Sequence, residues 1–264
     1  MLPTDPAALP LLRTGRIEVA GRIVDASNAT LFCSITAGDV DAACVYKPVR
    51  GERPLWDFPD GTLAGREAAA YLVSEATGWS LVPPTVLRDG PLGPGMVQLW
   101  VDVDDERAYV DVVGLRDVPG GWRRVLRAHD RFGDPALLVH ADTDALRRLA
   151  VLDVLLNNAD RKGGHVLAGP DGGVYGVDHG ICLHSEDKLR TVLWGFVGEP
   201  LPGEAVDVVR RVRCELDGGL GERLREHLTR KELQAVRNRA DGLLATETFP
   251  APNGDWPAIP WPAF

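Results

Sequence analysis

NNADRKGGHVLAGPDGGVYGVDHGICL, residues 157–183, holds the densest chemistry in the chain. Two short apolar runs, 165–167 and 174–177, flank a Gly-rich turn at 170–173, a pattern that predicts a β-hairpin. Asp160 precedes the first run and Asp178 closes the second, so the hairpin brings both carboxylates to one edge. Two carboxylates on one spot repel unless a proton or a cation lies between them, and a hard divalent ion such as Mg²⁺ suits oxygen ligands. The competing reading makes both of them turn residues that cap backbone amides, as Asp in Gly-rich loops commonly does.

On either side of this stretch the periodicity differs. Upstream, 142–157 reads as a helix with Leu146, Leu149, Ala150, Val154 and Leu155 on one face, and downstream helical patterns cover 204–216, 220–228 and 231–246. Before residue 101 short alternating runs dominate, at 16–25, 30–37, 41–48, 84–88 and 96–101, which predict an antiparallel sheet. One helix interrupts them at 63–77, with Gly78 in the C-cap position. The chain is therefore expected to be α+β with two lobes: a small β lobe with one helix (1–101), a larger, mostly helical lobe (102–248), and a tail (249–264). The tail carries five prolines and two tryptophans, which predict an extended strap whose docking the sequence leaves open.

Composition narrows the class. Of 264 residues, 45% are apolar and 25% charged, enough to bury a core, and 29 basic against 38 acidic side chains give a net charge of −9. That sign argues against nucleic acid and against a stable seat on anionic lipid. Four scattered cysteines without a C-x-x-C, no exporting start and no long apolar run predict a reduced, cytoplasmic setting. Only four of the basic residues are lysines: Lys47, Lys162, Lys188 and Lys231. Lys47, in DAACVYKPV, ends an apolar strand, where an amine needs a partner and suits a point contact to phosphate. Glu67 follows 20 residues later, early in the N-terminal helix, and is positioned to pair with it. A snorkelling edge lysine and a favourable helix-start charge would give the same letters.

Strand lysine, helix glutamate, a D-R-x-x-x-H loop and a D-x-G after a hairpin are the parts of a protein-kinase-like fold in order. Here the chain resembles the phosphatidylinositol 3/4-kinase-like superfamily. Residues 160–165 look like its D-R-H-x-x-N catalytic loop and Asp178-His179-Gly180 like its D-F-G, within a likeness over roughly 15–245 to actinobacterial proteins of this length. The resemblance implies ATP and Mg²⁺ (or Mn²⁺) as cofactors. It implies Lys47 on the α- and β-phosphates with Glu67 orienting it, Asp160 as base at an attacking hydroxyl, and Asp178 on the metal. Gln98, Leu99, Trp100 and Val101 would form the hinge that offers backbone groups to adenine, and Arg161 or Lys162 would neutralise the transferred phosphoryl group. Two departures stand out. His165 replaces the usual Asn metal ligand, favouring a softer ion or a single-metal site. The phosphate-covering loop lacks G-x-G-x-x-G, with Ser27 and Asn28 in its place.

The expected activity is transfer of a γ-phosphoryl group to a hydroxyl of a protein or small molecule. The net charge of −9 without a basic run disfavours a phosphoinositide acceptor. His165 leaves open a nucleotide-binding pseudokinase or scaffold, and a reversed nucleotide would make the same fold an AMP transferase. A His/Asp metal cluster from His165, Asp178, His179 and His184 matches no helix-borne zinc spacing.

Overall fold

The computed structural model describes residues 1–23 and 28–264. A short helix α1 (Ala8–Thr14) precedes a sheet of β1 (Arg16–Arg22), β2 (Leu31–Ala37), β3 (Val40–Pro48), β4 (Thr85–Gly90) and β5 (Gly93–Leu99), antiparallel throughout in the order β1-β2-β3-β5-β4. Helix α2 (Leu63–Thr77) lies between β3 and β4 in sequence. Thr62 starts it by accepting from the Gly65 amide at 2.9 Å, and Gly78 ends it in the left-handed conformation, φ 72°.

Alternation decides the faces of β3. Cys44 and Tyr46 point into a core built with Leu11, Leu12, Ile35 and Val97, so the intervening Val45 and Lys47 face the opposite side. Lys47 pairs in register with Met96 of β5. The sheet thus turns its one lysine away from its own core.

The segment after β5 departs from the expected mostly helical lobe. Residues 110–141 form a second antiparallel sheet of β6 (Val110–Gly114), β7 (Trp122–His129) and β8 (Pro135–Ala141), with β8 central. The apolar run ALLVHA of β8 is buried along its length and needs a strand on each side for its backbone groups, which β6 and β7 supply. Then α3 (Asp144–Leu156), capped by Thr143 and ended by Asn157 at φ 50°, leads to the hairpin of β9 (Val166–Ala168) and β10 (Val174–Gly176). Helices α4 (Gly203–Glu215), α5 (Gly219–Leu224) and α6 (Arg230–Thr246) complete the lobe. Its core joins α3, α4 and α6 to Ala69, Ala70 and Val73 of α2. Arg66 of α2, itself buried, pairs with buried Glu232 at the start of α6. Among the described residues no helix is long and apolar enough to cross a membrane.

Candidate functional site

Three elements converge on one ammonium. Lys47 Nζ from β3 donates to Glu67 Oε1 of α2 at 2.6 Å and to Asp178 Oδ1, past the end of β10, at 2.7 Å. Burial alone would pull this amine's pKa down, but the Asp178 and Glu67 carboxylates more than offset it and the pKa is raised. Lys47 in turn holds the Asp178 carboxyl far below the usual carboxylate range. Glu67 is almost fully enclosed, and burial pushes its pKa up against the pull of Lys47. Asp178 adopts φ 59°, unusual for a residue with a side chain. That turn aims its carboxylate at Lys47 while the next amide, His179 N–H, donates to Glu67 Oε2 at 2.9 Å.

The hairpin supplies the other wall. Val177 N–H bonds His165 carbonyl at 3.1 Å, so the two ends of the hairpin meet. His165 Nδ1–H donates to the Asp160 carbonyl at 2.9 Å, which leaves Nε2 as the free lone pair, 3.4 Å from Asp178 Oδ2. Burial lowers the His165 pKa against the pull of Asp178 and Asp160. Asp160, whose pKa is raised by burial against the pull of Lys162 and His165, lies 3.4 Å from Lys162 Nζ.

These groups line one cavity of about 130 Å³ together with Asn28, Glu52, Leu63, Ala64 and Gly180. Its charged lining is two ammoniums, Lys47 and Lys162, against four carboxylates, Glu52, Glu67, Asp160 and Asp178, a balance of −2 with His165 neutral. Such a pocket admits a polyphosphate only in company with cations, and the imidazole and carboxylate at His165 and Asp178 are a fitting donor pair for a divalent first-row ion. The volume suits phosphate groups and a cation, below the several hundred Å³ of a whole small-molecule site.

Several expected roles are corrected. Arg161 does not face the cavity: it is fully enclosed, with Nη2 2.9 Å and Nε 3.1 Å from Asp153 Oδ1. Its Nη1 donates to the carbonyls of His165 and Val177, and its Nη2 to His179 Nε2 at 2.6 Å. It braces the loop instead of neutralising phosphate, since five donors satisfied inside the protein have none to spare for a ligand. Gln98 and Leu99 lie within β5, and neither they nor Trp100 and Val101 line the cavity. The Leu99 and Trp100 amides are committed to the Pro84 and Ala43 carbonyls, and the Gln98 side chain to Thr85. Trp100 and Val101 follow Leu99, the last residue of the strand. Ser27 falls outside the described residues; Asn28 lines the cavity and accepts from the Arg53 amide at 2.9 Å.

Glu52 and Asp153 escaped the sequence reading. Glu52 accepts from the Leu63 and Ala64 amides at 2.9 and 2.8 Å and so closes the start of α2 beside Lys47. It sits in an irregular turn and carries no signal. Asp153 does carry one: it is a charged residue on the apolar side of α3, buried and also bonded by Asn158 and Thr191.

No protein-family model matches the chain. Protein Rv2133c of Mycobacterium tuberculosis is 54% identical over 263 residues, which span 96% of this chain and 94% of that protein. Among solved structures, the crystal structure of the Helicobacter pylori proinflammatory kinase CtkA aligns with 90% of this chain and 94% of its own, at a TM-score of 0.47 and 11% identity.

Proposed function

The chain belongs to the family of Protein Rv2133c, and we propose that it is an ATP-dependent phosphotransferase of the phosphatidylinositol 3/4-kinase-like kind, moving the γ-phosphoryl group to a hydroxyl. The observation that carries this reading is the junction of Lys47, Glu67 and Asp178, drawn from a strand, a helix and a loop far apart in sequence, beside Asp160.

Lys47 binds phosphate oxygens as a point charge, and Glu67 fixes where that charge stands. Asp178 and His165 would hold a divalent cation, which supplies charge neutralisation for the phosphates when bound. Asp160 takes the proton of the acceptor hydroxyl; the new O–P bond forms as the bond to the bridging oxygen of ADP breaks, and ADP leaves with that electron pair. Lys162, next to Asp160, stabilises charge on the group in transit. Arg161 keeps the loop backbone in place from behind.

A second reading, a nucleotide-binding module without transfer, is favoured by His165 standing where the resembling family has Asn. Thermal melting separates binding from its absence: ATP with Mg²⁺ or Mn²⁺ should raise Tm, and Asp178→Asn should remove the rise. An ATP effect independent of metal, or none, would count against the proposal. Transfer that disappears in Asp160→Ala while the Tm rise persists distinguishes enzyme from module.

A further inference from the structure

The tail at 249–264 has no role in the reaction so far and lines none of the cavity, yet its end bonds the loop that carries Asp160. It is anchored by Phe249, which is buried and bonded through its backbone to Gly198 and Glu199. From there Asn253 Nδ2 donates to the Asp187 carbonyl at 3.0 Å. The Trp256 ring covers Lys188 Nζ at 4.1 Å, and the same ammonium lies 5.6 Å from Phe58, 5.8 Å from Trp56 and 3.2 Å from Asp57 Oδ2. The Ala258 carbonyl accepts from the Thr191 amide at 3.1 Å and from the Trp194 indole at 2.7 Å. The Ala263 carbonyl then takes the Gly163 amide at 2.7 Å, and the Phe264 ring packs on Gly163, where a Cβ would lie 2.7 Å from Cδ1.

The places it occupies are specific. Thr191 belongs to the segment after Asp178 that pairs with the catalytic loop: Arg161 N–H bonds the Arg190 carbonyl and Val192 N–H bonds the Arg161 carbonyl, both at 3.1 Å. The strap, a run of bends and not a strand, therefore lies beside the loop and segment that flank Asp160, and it takes up the Thr191 and Gly163 amides. Residues 249–264 contain no Ser, Thr or Tyr, so nothing in this occupant can receive a phosphoryl group. Toward its far end Ile259 and Ala263 pack on the core of the larger lobe while Trp261 is 90% and Phe264 50% exposed, and five prolines reduce the conformational entropy the segment must lose on rebinding.

Building on the phosphotransferase reading, we propose that residues 249–264 form an autoinhibitory strap, a hydroxyl-free occupant of the track along which an extended polypeptide acceptor reaches Asp160. Release of the strap opens the site to a polypeptide hydroxyl, and the Lys188 junction with Trp256 is the latch.

The test compares the full chain with its Trp256→Ala/Phe264→Ala variant, using labelled ATP, Mg²⁺ or Mn²⁺, and dephosphorylated casein as the extended hydroxyl-rich probe. The nucleotide-dependent rise in Tm is measured first, and its absence from the unaltered chain would sink the phosphotransferase reading, not the strap alone. With binding intact in both, the variant should label casein at least tenfold faster, and a synthetic peptide of residues 250–264 in excess should return it to the rate of the unaltered chain. Equal rates, no labelling by either, or a slower variant overturns the strap. Should the double variant fail to melt cooperatively, Phe264→Ala alone, at a half-exposed side chain, gives the same comparison.

Discussion

Arg161 and Asp153 form an ion pair with no exposure on either side, the guanidinium meeting the carboxylate at 2.9 Å beneath the loop that carries Asp160. The guanidinium also collects the carbonyls of His165 and Val177, so one cation ties α3 to both ends of the hairpin. Removing a single partner leaves the other charge buried and unpaired, which costs about 3–5 kcal/mol. Asp153→Ala should therefore lower stability by about that amount in urea unfolding, and Asp153→Asn should also lower it. A change under 1 kcal/mol for Asp153→Ala would show that the pair is not the brace described.

Lys47→Arg keeps the charge but replaces a compact ammonium by a planar fork in a space bounded by Glu67 and Asp178. The expected result is a loss of kcat/KM of about 100-fold or more, as for removal of one aimed electrostatic contact. A variant within a factor of three of the unaltered chain in steady-state assays would displace Lys47 from the phosphate.

The acid limb of the rate profile should lie above that of an ordinary carboxylate. Burial raises the Asp160 pKa in the folded protein, and only the ionised form accepts a proton, so the rate climbs as pH rises through that elevated value. The Lys162 ammonium works in the opposite sense on the same group. Lys162→Ala should move the limb to higher pH in a kcat/KM profile; a shift to lower pH would contradict the assignment.

His165 bears on metal choice. Its Nε2 lone pair faces Asp178, and imidazole suits Mn²⁺ better than Mg²⁺. His165→Asn should reduce the Mn²⁺/Mg²⁺ activity ratio by about tenfold, the scale on which metal-site residues alter affinity. An unchanged ratio would remove His165 from the ligand set.

The legible parts of the molecule are those where side-chain pattern and backbone need coincide. Helix α2 was bounded at 63–77 because its apolar spacing ends at Gly78, and Lys47 stood out because an amine at the end of an apolar strand requires partners. Asp160, His165 and Asp178 were brought together by a hairpin that five glycines and a proline within 163–173 make explicit. Arg161 was misjudged because motif position says nothing of the direction its side chain takes, which is set by Asp153 eight residues back on the buried side of α3. The sheet at 110–141 was missed because β6 and β7 carry mixed charge and lack strict alternation. The tail was read as a strap, but whether it docks stayed open because part of its hold rests on the carbonyls of Ala258 and Ala263, groups that every residue possesses, and part on Trp256 finding Lys188 far away in sequence.

The scarcity of lysine gives the molecule a built-in reporter. Lys188 is 3% exposed under its aromatic rings and Lys47 is held between two carboxylates, while Lys231 stands open on α6. An amine-acylating reagent therefore meets lysines of plainly unequal access in one chain, open at Lys231, part-buried at Lys47 and Lys162, and enclosed at Lys188. Acyl groups should arrive at Lys231 long before Lys188, and the order in which the masses appear reads the opening of the latch and of the cleft independently, without any probe having to be installed.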